Sequence, residues 1–317
     1  MRVVIFEDGS SSLWPLADIK PAYELYFGRK RVSDVLLSKF NGLKVDFLSR
    51  WSSPIEFGGD DILLYNSLAL NGDTWLETAL NGLVRGDWHG EMGMVEGKRL
   101  VFALVEKKYV RAVSSFLRGE LDEQKVGAIT QKVMPLKTTR TIYDELIKKG
   151  EGKILITFPW ELLSAGLGSE GSDQVYASPD VALDESEIFP QSVVLGKTRV
   201  KNSRVKNSII VGPALIEDAD IEDSYIGSHV EIKNSKVSGY VGDYCTIKAD
   251  VIGKVRVGTG STVLESLEKD LPALSIWEKG DRDTALANAL NVYERTGGLI
   301  DSRLRERLLS LVGTINS

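Results

Sequence analysis

"VGPALIEDADIEDSYIGSHVEIKNSKVSGY", residues 211–240, is the stretch on which the fold turns. An aliphatic residue followed by glycine stands at Val211-Gly212 and again at Ile226-Gly227. The same pair recurs at Leu195-Gly196, Val241-Gly242 and Val257-Gly258, giving spacings of 16, 15, 15 and 16 residues. Between these pairs, single aliphatics stand about five or six residues apart with polar residues around them, as at Ile226, Val230, Ile232 and Val237. Such a period is wrong for a helix and for a hairpin strand. It fits short flat strands that turn a corner about every sixth residue, with one aliphatic per side pointing into a narrow prism. The repeat predicts about five stacked coils over residues 181–265, with Leu195, Val211, Ile226, Val241 and Val257 in one inward column. Coils of 15 or 16 residues are shorter than three full sides of six, so one side is expected to be clipped.

Before the coils, apolar strand-like runs (VVIF, VDFLS, ILLYNS, LVFALV, KILITF) alternate with helical ones (VSDVLLSKF, YVRAVSSFLR). This alternation predicts an α/β domain with a mostly parallel sheet, whose ligands sit beyond the carboxyl ends of the strands. That rim carries residues 7–31 and Asn66. The Gly-rich stretch 166–173 is linker material, so the expected domains are 1–170, 181–265 and a helical segment, 266–317. In that last segment Asp283 or Thr284 can cap a helix bearing Leu286, Leu290 and Tyr293, which Gly297-Gly298 ends. A second helix carries Leu299, Leu304, Leu308 and Leu311. An open solenoid end needs covering, so these helices are expected to form a cap or a subunit contact.

Composition narrows the function classes. A 317-residue chain with 43% hydrophobic residues can bury a sizeable core, and its formal charge of −6 offers no long-range attraction for nucleic acid. A single cysteine rules out an internal disulfide framework, and two histidines leave little for a histidine-built metal site. No window holds 18 uninterrupted apolar residues and the amino-terminal apolar run is too short for a signal-peptide core, so the expectation is a cytoplasmic chain without a membrane partner.

An α/β domain followed by a hexapeptide-type solenoid resembles the sugar-phosphate nucleotidyltransferases, such as the glucose-1-phosphate thymidylyltransferases with β-helix tails and N-acetylglucosamine-1-phosphate uridylyltransferase. "FPWELL" at 158–163 is similar to that family's linker element, and "YVGD" at 240–243 is similar to a motif of its coils. The first loop resembles a divergent branch: Glu7-Asp8, Leu13-Trp14-Pro15-Leu16, Lys20-Pro21 and Glu24-Leu25. The resemblance implies a Rossmann-like nucleotidyltransferase domain and a left-handed parallel β-helix. It also implies attack by a sugar-1-phosphate on the α-phosphorus of an NTP with release of pyrophosphate, Mg²⁺ as cofactor, and a homo-oligomer, trimer or dimer.

On that resemblance the nucleotide would be held by Gly9, Ser10, Ser11, Ser12, Lys20 and Glu24, with Lys20 and Asn66 catalytic and Asp8 a metal ligand. Loops of Gly and Ser suit phosphate because their N–H groups and hydroxyls converge on an anion, and a lysine adds a mobile point charge. The family's loop arginine and post-proline lysine are missing here; Ala22 follows Pro21. The two metal carboxylates are replaced by Asn66 and Leu155, while Asp73 reads as a helix cap. The loop is therefore open to two readings, a phosphate loop or a plain turn. The chain is correspondingly either an enzyme or a catalytically silent homologue acting as a binding, regulatory or assembly subunit. His229 reads as a surface residue of the coils rather than an acetyltransferase base, Cys245 as a core residue, and His89 beside Trp88 could line a sugar pocket.

Overall fold

The computed structural model describes residues 1–7, 10–53, 55–71, 81–82, 92–97, 99–119, 121–133, 154–171, 174–277, 281–299 and 302–311. Asp8, Gly9, Asp73, Trp88 and His89 lie outside them. Packing divides the chain into two compact units, which differ from the expected 1–170 and 181–265. One contains residues 1–10, 21–24 and 31–157. The other contains 158–317 together with two early segments, 11–20 and 25–30.

The first unit is built on a sheet of five strands among the described residues: β1 (Arg2–Phe6), β2 (Lys44–Leu48), β3 (Ile62–Asn66), β4 (Met92–Glu96) and β5 (Arg99–Val105). Their order is β2-β1-β3-β5-β4. β1 pairs parallel with both β2 and β3, with Phe6 opposite Leu48 on one side and Asn66 on the other. β5 pairs antiparallel with β3 and β4. β1 and β3 are almost wholly buried, which is why they read as continuous apolar runs rather than alternating ones. Helix α1 (Val32–Lys39) links β1 to β2 in the chain. Helices α2 (Lys107–Val113) and α3 (Glu123–Val133) bring Val110, Val113, Val126 and Ile129 into a core with Val4, Phe6, Ile62, Leu64 and Ala103.

The second unit is a parallel β-solenoid of about six turns over residues 175–263. It holds one more turn than the repeat count, because the first turn, opened by the strand Val175–Ala177, lacks the aliphatic-glycine signal. Three inward columns line its interior. They are Val194-Ile210-Ile226-Val241-Val257, Val200-Ile216-Ile232-Ile247-Val263 and Ile188-Val205-Ile221-Val237-Val251. The expected column is thus right for Ile226, Val241 and Val257 and one residue late for Leu195 and Val211. In the first two coils an extra residue separates the inward aliphatic from its glycine, and a one-residue shift along an extended chain changes the face. From Val194 to Ile210 the steps are six, five and five, so two sides are shortened by one residue each instead of one side being clipped.

The corners explain the polar residues. Asn202, Asn207, Asp218, Asp223 and Asn234 all have positive φ, between 44° and 52°, a region that Asn and Asp enter at least cost among residues other than glycine. The next residue is usually serine. The hydroxyls of Ser203, Ser208, Ser224 and Ser235 donate to the carbonyl two residues earlier at 2.6–2.7 Å. Ser203 and Ser208 also accept the N–H of Ala219 and Ser224 in the following coil, each at 3.0 Å. Glycine is needed where corners touch: a Cβ on Gly258 would lie 2.2 Å from the Ala273 nitrogen, and one on Gly227 would lie 2.6 Å from Asp243 Oδ1. In-register stacking would place like charges over each other, and alternation avoids it, as in Arg204-Asp220-Lys236 and Lys201-Glu217-Lys233.

Beyond the coils, α4 (Pro159–Glu170) having preceded them, come α5 (Arg282–Arg295) and α6 (Ser302–Ser310). The cap of α5 is Asp281, whose side chain accepts the Thr284 N–H at 2.8 Å, two residues before the expected start. Leu286, Leu304, Leu308 and Leu311 pack with Ala273 and Leu274, just past the last coil, whereas Leu299 is 89% exposed and takes no part. Among the described residues no helix is long and apolar enough to cross a membrane.

Candidate functional site

In the first unit the chain leaves β1 for β2 on one side and later returns to β3 on the other. In open α/β sheets the crevice that receives ligands lies at such a reversal, here beyond the carboxyl ends of β1 and β3. Two of the sequence-derived positions flank it. Asn66 ends β3, and the Ser67 N–H bonds the carbonyl of Phe6 at 2.9 Å, so the ends of both strands are joined. Glu7 follows directly and is 1% exposed. Its Oε1 accepts the Ala22 N–H, and its backbone bonds Leu48 and Leu121.

Asn66 is fully buried and its amide is spent on the backbone: Nδ2 donates to the Leu100 carbonyl at 2.8 Å, and Oδ1 accepts the Leu68 N–H at 3.0 Å. It fixes the rim as a positioning group. Leu155, where the resembling family carries a carboxylate, is buried and bridges Ala69. Its N–H and that of Ile154 donate to Glu96 Oε2, each at 3.0 Å, so a carboxylate is present there from a different strand. The sequence reading missed Glu96, since nothing local links β4 to residue 155. It also gave no role to Ser67, whose hydroxyl is buried and has no hydrogen-bond partner among the described residues.

Of the remaining predicted residues, Ser10, Ser11 and Ser12 begin a short 3₁₀ turn, Ser10–Leu13, and Ser12 is half-buried. Glu24 is exposed in a second such turn, Ala22–Glu24. Asp8 and Gly9 fall outside the described residues. Lys20 is placed with the solenoid. Its ammonium lies 2.8 Å from Asp243 Oδ1 and 2.7 Å from Oδ2, with the two side chains 16% and 4% exposed. Asp243, in the "YVGD" stretch, also accepts the Ser228 N–H at 2.7 Å and the Ser228 hydroxyl at 3.0 Å.

His229, next to this pair, is not the surface residue that the repeat suggested. Its ring stacks on Tyr244 (centroids 5.4 Å) and meets Tyr293 of α5 edge-on (4.5 Å). Helix α5 covers it, and the repeat pattern holds no trace of that helix. Thr296 Oγ1 lies 2.6 Å from Nδ1 and also lies within hydrogen-bond distance of the carbonyls of Val292 and Tyr293. Burial lowers the His229 pKa to about 4, against an opposing pull from Asp243. Cys245 is fully buried in the solenoid interior, and burial pushes its thiol up to about 12, as befits a core residue.

Asp8, the residue that the resemblance assigns to Mg²⁺, lies outside the described residues. Among the described ones Asn66 Oδ1 already accepts the Leu68 N–H, Glu7 Oε1 accepts the Ala22 N–H, and no group of three His, Cys, Asp or Glu side chains suited to a metal occurs. The chain matches no protein-family model and no curated protein.

Proposed function

We propose that this chain is a divergent sugar-1-phosphate nucleotidyltransferase, forming an NDP-sugar and pyrophosphate from an NTP and a sugar-1-phosphate. The observation that carries this reading is the strand reversal at β1, the topological position at which open α/β sheets receive ligands, beside Glu7, Asn66 and Ser67, in a chain that goes on to a parallel β-solenoid. The solenoid would then be the left-handed β-helix that accompanies such domains, and assembly as a homo-oligomer belongs to the same proposal.

In the reaction an oxygen of the sugar-1-phosphate bonds to the α-phosphorus while the bond from that phosphorus to the β-phosphate oxygen breaks, and pyrophosphate leaves with the electron pair. Little covalent chemistry falls to the protein, whose task is position and charge. The serine turn that opens at Ser10 offers N–H groups to the phosphates. Glu7 fixes the backbone at Ala22, and Asn66 fixes the ends of β3 and β5 that border the crevice.

A second reading, the catalytically silent subunit, is favoured by two observations. The cation expected on the triphosphate, Lys20, is neutralised by Asp243, and Asn66 is fully buried with both amide atoms bonded to backbone. Titration of the protein with each NTP in turn, followed by NDP-sugar formation with a panel of sugar-1-phosphates, separates the two. Nucleotide binding with product supports the first; nucleotide binding without turnover, or none, supports the second.

A further inference from the structure

Residues 11–20 leave the α/β unit just after β1 and pack with the coils of the solenoid. Their seat includes contacts at four places. Trp14 lies under the Arg256 guanidinium, 4.8 Å from ring centre to Cζ. Thr259 donates from Oγ1 to the Pro15 carbonyl and from its N–H to Asp18 Oδ2, both at 3.4 Å. Ile19 joins the apolar cluster of Ala273, Leu274 and α5. Lys20 closes the seat on Asp243. Three of these are long, peripheral or apolar. The Lys20–Asp243 pair is short, charged and sheltered, and a charged group left without its partner in such a place is costly.

We propose that Asp243 is a positioning residue: through Lys20 it anchors segment 11–20 to the solenoid and thereby fixes the serine turn Ser10–Leu13 at the start of that segment. Resting on the nucleotidyltransferase reading for its second half, this makes the fixed conformation of the serine turn a condition of NTP binding and gives Lys20 a structural partner in place of the triphosphate. Gly227 belongs to the same device, because a Cβ there would meet Asp243 Oδ1 at 2.6 Å and displace the carboxylate. Ser228 holds Oδ1 of the carboxylate with two hydrogen bonds, from its N–H and its hydroxyl. Asp243 is therefore oriented before Lys20 arrives, which is what a fixed anchor requires.

Amide hydrogen exchange on the full-length protein reads the anchor directly. Asp243→Asn keeps the size and loses the charge; Lys20→Met tests the same contact from the more exposed side should the first variant fold poorly. Each is expected to raise exchange in residues 11–20 at least about tenfold, with the pair of substitutions adding little to either alone, while β1 and β3 keep their protection. Unchanged exchange in 11–20, or additive effects, overturns the anchor. For positioning, Asp243→Asn should raise KM for the NTP about tenfold with kcat within about twofold, while Lys236→Ala, on another face of the solenoid, changes neither. Raised exchange with an unchanged KM overturns the positioning role. A wild-type protein that binds no NTP overturns the nucleotidyltransferase reading instead, and the exchange data alone then decide the anchor.

Discussion

Ile216→Ala should destabilise the solenoid several times more than Leu215→Ala, one residue away on the same strand. Ile216 is 2% exposed and sits in register between Val200 and Ile232 in an inward column. Leu215 faces outward beside Arg199, Lys201 and Lys233 and is half-buried. Removing three carbons at about 0.8 kcal/mol each gives about 2.4 kcal/mol of lost transfer energy. The in-register ladder holds the coils apart, so the hole cannot close, and the total should reach about 3–4 kcal/mol. On the outward side the same truncation leaves no cavity and removes half-exposed surface, for about 1 kcal/mol. At about 2–4 °C per kcal/mol, the inward variant should melt about 6–16 °C lower and the outward one no more than about 4 °C lower. Differential scanning calorimetry, following the solenoid transition, is the assay. Equal drops, or a larger one for Leu215→Ala, would mean that the register given above is wrong.

His229 should titrate near pH 4 by NMR. Because its folded pKa lies below the unfolded value of about 6.5, the unfolded chain takes up the proton first, and stability should fall as pH drops from about 6.5 to 4. His229→Gln should flatten that slope, and an unchanged slope would place its origin elsewhere. Cys245 should resist thiol reagents at pH 8 in the folded protein and react on unfolding, since its thiol is buried with a pKa raised to about 12. Modification of the native protein at the rate of a free thiol would contradict its burial. Asn66→Asp, which the resemblance to metal-binding nucleotidyltransferases would recommend, should instead cost about 1–3 kcal/mol in a denaturation experiment, because a carboxylate cannot donate to the Leu100 carbonyl.

The solenoid was legible because its period is carried by residues whose reasons are local: aliphatics for the interior and glycines where coils touch. The corner code was equally local and was passed over. "KNS" at 201–203, 206–208 and 233–235 spells a left-handed residue followed by a serine that ties two coils together. The off-by-one at Leu195 and Val211 arose because glycine marks the corner, and the distance from corner to inward residue varies by one between coils. Strand β1 and its neighbours were visible as apolar runs, but not the antiparallel pairing of β5, which no periodicity encodes. Least legible was the fate of Lys20. Its partner is 223 residues away, and sequence order placed it beside a serine loop that suggests phosphate. Likewise Glu96 reaches Leu155 across 59 residues, so the acid sought next to residue 155 in sequence was found on another strand.

Product formation tests the central claim most directly: purified protein is incubated with each of the four common NTPs, a panel of sugar-1-phosphates and Mg²⁺, and pyrophosphate and NDP-sugar are measured together. The account predicts that one pairing releases pyrophosphate and NDP-sugar in equal amounts, and that Asp243→Asn raises the KM for the NTP. Absence of product with every pairing, whether or not an NTP binds at millimolar concentration, would contradict it and favour the silent-subunit reading.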